Sequence, residues 1–217
     1  MKIIFEDNHI LVVEKPVNMP ACPDASKDLD LLTALKNYLK EKYHKPGNVY
    51  LGLVHRLDRP VAGVMVFAKT SKAASRLSDS LRKNLFKKTY LAVVCGIAEK
   101  KGHLEDYLLK DFKNNIVRTA DKDQGRLAIL DYCLLKNKDN LSLIKINLKT
   151  GRSHQIRVQM ANAGLPLWGD QKYNPGSQKG QQIALYGQQL SFPHPITKET
   201  ISFTCYPTSG KIWSYFD

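Results

Sequence analysis

Two strand-like runs, Leu127 to Leu135 and Leu141 to Leu148, flank the polar tetrapeptide Asn137-Lys138-Asp139-Asn140. A connection that short joins antiparallel neighbours, because parallel strands need a crossover of roughly a dozen residues or more. This hairpin fixes the style of the whole chain, since similar composition recurs at Thr89 to Cys95, which stops at Gly96, and more briefly at Leu104 to Leu108. Nearer the start, Ile10-Leu11-Val12-Val13 reads as a strand ended by Lys15-Pro16, and Gly63 to Lys69 reads as a buried one. Two later candidates lie near residues 183–190 and 200–205.

Helical spacing is confined to three places. Leu31, Leu32, Leu35, Tyr38 and Leu39 share one face, and Ala74, Leu77 and Leu81 mark a second helix behind a Ser71 cap. A third is expected from near Ser153 to near Gly164, with Ile156, Met160 and Ala163 on one side. Residues 164–182 form a Gly- and Pro-rich loop. Long βαβ alternation is absent, as are the GxGxxG and GxxxxGKS/T phosphate-binding loops, so a dinucleotide-binding domain and a nucleotide triphosphatase are disfavoured. The pattern predicts an α+β fold in one domain, residues 1–217, built on a large, mixed, mostly antiparallel sheet with flanking helices and loops. A chain of 217 residues can bury a substantial core in that form.

Charge narrows the partner. Thirty-three lysines and arginines oppose 20 acids, a formal charge of +13. An enzyme acting on a neutral metabolite needs no such excess, whereas a polyanion explains it through phosphate neutralisation and counterion release. A basic surface kept for solubility is the plainer alternative. Cys22, Cys95, Cys133 and Cys205 lie far apart with no CxxC, which reads as free thiols in a reducing compartment. His and Cys never cluster at zinc-ligand spacing. Acidic residues follow Met1 almost at once, unlike a signal peptide, and no apolar run reaches membrane-spanning length. A cytoplasmic protein without metal or cofactor is expected.

The strongest chemical signal is His55-Arg56-Leu57-Asp58-Arg59-Pro60-Val61-Ala62-Gly63. It sets one carboxylate, Asp58, between two permanent cations, ahead of the hydrophobic run that follows Gly63. Such an acid can act as nucleophile or general base without a second carboxylate. Taken alone it is equally well a surface ion pair or a helix cap. A second element is Thr150-Gly151-Arg152-Ser153-His154-Gln155-Ile156-Arg157-Val158-Gln159, and a third is Lys87-Lys88-Thr89-Tyr90-Leu91-Ala92. By composition alone Arg157 would be a solvated helix arginine and Tyr90 a sheet residue.

Together these elements resemble the RluA-type RNA pseudouridine synthases. The first is similar to that family's HRLDRxxSG signature with Ala62 in place of serine, and the second to TGRxHQIRVH with Gln159 in place of the last histidine. The third is similar to KxYxA. Flanking matches are Glu14-Lys15-Pro16, where Val17-Asn18 departs from KPxG, and Gly164-Leu165-Pro166-Leu167-Trp168-Gly169-Asp170-Gln171-Lys172-Tyr173, which resembles GxPIxGDxxY. Tyr186 stands where the family has the histidine of LHA.

The resemblance implies the pseudouridine synthase fold with a central cleft and no S4-like leading domain. It further implies a catalytic Asp58, an Arg157 that pairs with and orients it, and a Tyr90 stacked on the target uracil. His55, Arg56, Arg59, Lys87, Lys88, Arg152 and His154 are expected to contact RNA or support the site, His55 as a structural hydrogen-bonding residue. The implied partner is structured RNA, ribosomal or transfer, with no membrane and a monomeric enzyme. The competing readings are a non-catalytic RNA-binding or ribosome-assembly protein on the same fold, and a nucleoside hydrolase.

Overall fold

Ile10, Leu11, Val12 and Val13 are apolar without alternation, so this strand must be covered on both faces, and all four side chains are fully buried. The computed structural model describes residues 2–208 and 210–216. Its chain folds as two compact units, one of Met1–Phe86 with Gly187–Tyr206, the other of Lys87–Tyr186 with Pro207–Asp217.

The first unit begins with strands β1 (Lys2–Glu6) and β2 (Ile10–Lys15), then helix α1 (Leu31–Lys42), strands β3 (Gly52–Leu53) and β4 (Ala62–Ala68), and helix α2 (Ser71–Arg82). β2 pairs antiparallel with both β1 and β4, in a register that sets Val12 opposite Val66 and Lys15 opposite Gly63. Every residue of β4 is buried, as its unbroken apolar composition requires. Leu31, Leu35 and Leu39 turn the inner face of α1 inward, and Ala73 and Leu77 do so for α2. The α2 cap is Thr70, not Ser71. Thr70 has extended backbone, so its hydroxyl reaches back to accept from Ala73 N at 3.1 Å, whereas Ser71 already lies in the helix.

A charged cluster ties β1 to the end of α1 and to the residue after β4. Glu6 accepts from Lys42 at 2.8 Å, Lys69 at 2.7 Å and the Tyr43 hydroxyl at 2.6 Å. Burial raises the Glu6 carboxyl, but these donors more than offset it and hold its pKa at about 2 against an ordinary 4.5. A depressed folded pKa stabilises above the unfolded value, and that contribution is lost as pH falls from about 4.5 toward about 2. Glu6→Gln is expected to lower stability at neutral pH and to flatten the acid limb of urea midpoints, while the parent falls steeply through that window.

The second unit holds β5 (Lys87–Cys95), β6 (Lys101–Asp111), β7 (Ile116–Thr119), β8 (Arg126–Lys138), β9 (Leu141–Leu148) and helix α3 (Gln155–Asn162). Its strands run in the order β5-β9-β8-β6-β7 and all pair antiparallel. The expected hairpin is β8–β9, with Lys138 opposite Leu141 and positive φ at both Asp139 (45°) and Asn140 (59°). Asn and Asp tolerate that left-handed backbone, whose twist matches the strands. β6 runs well beyond Leu104 to Leu108, because its outward positions are polar and dilute the strand signal. β7 and β1, both short and partly exposed, carry too little periodicity to be read from sequence. α3 is not one-sided as expected: Gln155 through Met160 are all buried.

β10 (Leu185–Pro193) and β11 (Thr200–Thr204) then form an antiparallel hairpin, and α4 (Lys211–Ser214) lies in the second unit. There Phe216 packs with Val93 and Ala184, and Trp213 meets Tyr186 edge-on. Tyr186, one of the departures from the family pattern, is thus a buried core aromatic.

Candidate active site

In the first unit, the loop bearing Asp58 is fixed from several sides. Leu57 is buried, its methyls beside Gly187. Gly63 has φ +140°, and a Cβ there would stand 2.4 Å from the Gly187 carbonyl oxygen. Only glycine fits that close approach. Gly63→Ala is expected to cost roughly 1–3 kcal/mol from backbone strain, read as a lowered urea midpoint.

Asp58 itself is half-buried, and its carbonyl accepts from Val61 N at 3.0 Å, closing a tight turn over Arg59-Pro60. Beneath this turn lies fully buried Lys15. Its Nζ donates to the carbonyls of Pro16 (2.9 Å), Met19 (2.7 Å) and Arg59 (3.0 Å), which uses all three ammonium donors. Burial pushes the Lys15 pKa down to about 7, the Asp58 carboxylate pulls it upward and Arg59 pushes it down. Lys15 and Asp58 therefore share one electrostatic field. Lys15 falls within a matched motif that gives it no role; the available signal is a lysine at the end of a strand that opens with four apolar residues.

The flanking cations differ. Arg56 is exposed. Arg59 donates to Ser26 Oγ at 2.9 Å and pairs with Asp28, so it braces the loop against the 24–28 segment. His55 Nε2 accepts from Val66 N at 3.1 Å, while its ring meets Phe86 edge-on. That acceptor role assigns the imidazole proton to Nδ1.

In the second unit, Tyr90 lies half-buried on β5 opposite Ile146. Its neighbour Thr89 is buried and holds Asn147 Oδ1 at 3.1 Å. Lys87 is exposed at the strand start; Lys88 is partly buried beside Gly151, and burial lowers its pKa. Arg157 on α3 is buried. Its Nε donates to Asp170 Oδ2 at 2.8 Å and its Nη2 to Asp170 Oδ1 at 2.7 Å, while the guanidinium lies 5.2 Å over the Tyr173 ring. Asp170 has a fully buried side chain and also accepts from Lys172 N and Tyr173 N. This bidentate, stacked geometry locks the arginine plane in a way lysine could not reproduce.

Polar groups around α3 form a connected set. Gln155 Oε1 accepts from Thr150 Oγ1 and Arg152 N, and Gln155 Nε2 donates to Ile129 O and Gln159 Oε1. Gln159 Nε2 in turn donates to Asp106 Oδ2 and Ala128 O. Where the family carries histidine, this glutamine supplies a donor to Asp106 and Ala128 and an acceptor to buried Gln155. Arg152 Nε donates to Leu127 O. His154 has left-handed backbone (φ 50°), and its Nδ1 lies 2.7 Å from the Tyr173 hydroxyl, which also accepts from Val117 N. Asp170, Tyr173 and Gln155 lie within the matched motifs, but what they touch is set by the fold and is not legible there.

Such an α+β scaffold presents an acid on a braced turn and an arginine held by a buried carboxylate. A profile described as RNA pseudouridylate synthase matches residues 9–162. The chain belongs to the RNA pseudouridine synthase family. It is 35% identical over 205 residues to the uncharacterized RNA pseudouridine synthase YhcT of Bacillus subtilis, covering 93% of this chain and 67% of that one. It is 33% identical to the ribosomal large subunit pseudouridine synthase D of Zymomonas mobilis, covering 94% and 68%. The solved structure of human RNA pseudouridylate synthase domain containing 4 superposes with a TM-score of 0.80 at 20% identity, covering 95% and 89%, and shows the shared fold. Among the described residues, no helix is long and apolar enough to cross a membrane.

Proposed function

We propose that this protein converts uridines of ribosomal RNA, transfer RNA or both to pseudouridine, with Asp58 as the residue that acts at C1′ or C2′. The observation that carries this reading is the buried support of the Asp58 turn by Lys15, in a chain of the RNA pseudouridine synthase family. In the reaction the N1–C1′ bond breaks, the uracil turns, and C5 bonds to C1′. N1 gains a proton and C5 loses one, so atoms and electrons balance without an external reagent. Asp58 enters either by attacking C1′ or by removing the C2′ proton to give a glycal.

Arg157 is assigned to orient Asp58 and keep it ionised, with its own plane set by Asp170. Tyr90 stacks on the detached ring and holds it for the turn. Arg56, Lys87, Lys88 and Arg152 are assigned to RNA, and the +13 charge supports that partner. Four unpaired cysteines support a reducing, cytoplasmic setting, and the enzyme acts as a monomer. Pseudouridine mapping of total RNA from cells carrying the parent or Asp58→Asn tests the reading. Sites lost with the variant name the substrate; no lost site under any growth condition overturns it in favour of a non-catalytic RNA-binding protein.

A further inference from the structure

β6 and β7 are joined by Phe112-Lys113-Asn114-Asn115, and Phe112 at that tip is 83% exposed. A single exposed apolar residue is ordinary on a protein surface. Three features set this one apart. The turn is rigid: Asp111 Oδ1 accepts from Lys113 N at 2.9 Å and Asn114 N at 3.1 Å, and its Oδ2 accepts from Asn114 Nδ2 at 2.7 Å. The surroundings are cationic, with Lys110 Nζ 5.3 Å from the ring centroid and Lys113 and Arg118 close in sequence. The only acid of residues 110–118 is Asp111, whose carboxylate is engaged by the turn.

The third feature is how the hairpin is fastened. Lys172 Nζ donates to Asn115 O at 2.8 Å, and Val117 N donates to the Tyr173 hydroxyl at 2.8 Å. Both partners flank the segment whose Asp170 holds Arg157, and Val117 packs with Leu108, Ala128 and Val158 of the same unit. The tip thus sits at a fixed offset from Arg157. No other described aromatic ring packs on Phe112.

We propose that Phe112 is a base-stacking contact for an unpaired nucleotide of the bound RNA, with Lys110, Lys113 and Arg118 taking the adjacent phosphates. A pre-ordered aromatic costs little to immobilise on binding, and every base offers a π face to it. This deepens the assignment of RNA as substrate, and it predicts a contact that is insensitive to salt beside contacts that are sensitive to it.

The test measures binding of a stem–loop RNA with 2-aminopurine in its loop, using Asp58→Asn protein so that no turnover intervenes. Phe112→Ala is expected to weaken binding roughly 5- to 100-fold and to abolish 2-aminopurine quenching, with the salt slope unchanged. Phe112→Trp should retain quenching, and Lys113→Ala should reduce the salt slope by about 0.7–0.9. Unchanged thermal unfolding of Phe112→Ala separates a lost contact from lost structure. Affinity within about twofold of the parent, with quenching intact, overturns the proposal. So does parent self-association that Phe112→Ala removes, which would make the tip a protein contact. Because binding rather than isomerisation is read, its failure is distinct from failure of the proposed activity.

Discussion

Asp58→Asn is expected to leave RNA binding close to parental and to reduce pseudouridine formation by at least roughly 10⁴-fold. Amide and carboxylate have nearly the same shape, and the turn that presents residue 58 is held by main-chain and Lys15 contacts that the substitution leaves in place. What disappears is the negative charge, which either route requires, because an amide neither attacks C1′ nor takes the C2′ proton. Single-turnover release of tritium from uracil C5, alongside filter binding of the same RNA, measures both halves. Parental turnover by Asp58→Asn would remove Asp58 from the chemistry. A matching loss of binding and folding would reassign it to structure.

Asp170→Asn carries the second large effect. The Arg157–Asp170 pair is buried, with side-chain exposures of 8% and 0%. Breaking such a pair by neutralising one member costs roughly 3–5 kcal/mol, because the remaining charge keeps its desolvation penalty. The introduced amide would hold a similar volume and could still accept from Lys172 N and Tyr173 N, so the loss reports the ionic contact rather than a cavity. Urea unfolding followed by far-ultraviolet circular dichroism should show the shift. Arg157→Lys is expected to retain part of the stability but little activity, since an ammonium cannot make the same two-pronged contact. An Asp170→Asn variant as stable as the parent would show that the pair does not hold the arginine in place.

Much of the fold was legible because it depends on local pattern. The β8–β9 hairpin follows from two apolar runs and a turn whose Asp139 and Asn140 accept positive φ. β2 and β4 follow from uninterrupted apolar runs that need cover on both faces. The three longer helices were placed correctly, though the α2 cap moved by one residue and α3 proved buried on all sides; the four-residue α4 is too short to show a helical period and was not read. Short edge strands such as β7 escaped because four residues carry little periodicity and half of its positions are exposed.

By itself, the sequence determined the α+β class, the antiparallel hairpin, the basic charge and an Arg-flanked Asp58 in a recognisable signature. These are properties of spacing and composition. Only the tertiary structure decided which groups serve those residues: Lys15 beneath the Asp58 turn, Arg59 turned toward Asp28, Asp170 gripping Arg157, and Gln159 bridging Asp106 and Ala128. Hydrogen-bond partners are chosen through space, by whichever backbone and side-chain groups burial leaves within about 3 Å. A linear pattern specifies that a buried cation must find acceptors, but the packing of strands and loops selects which ones.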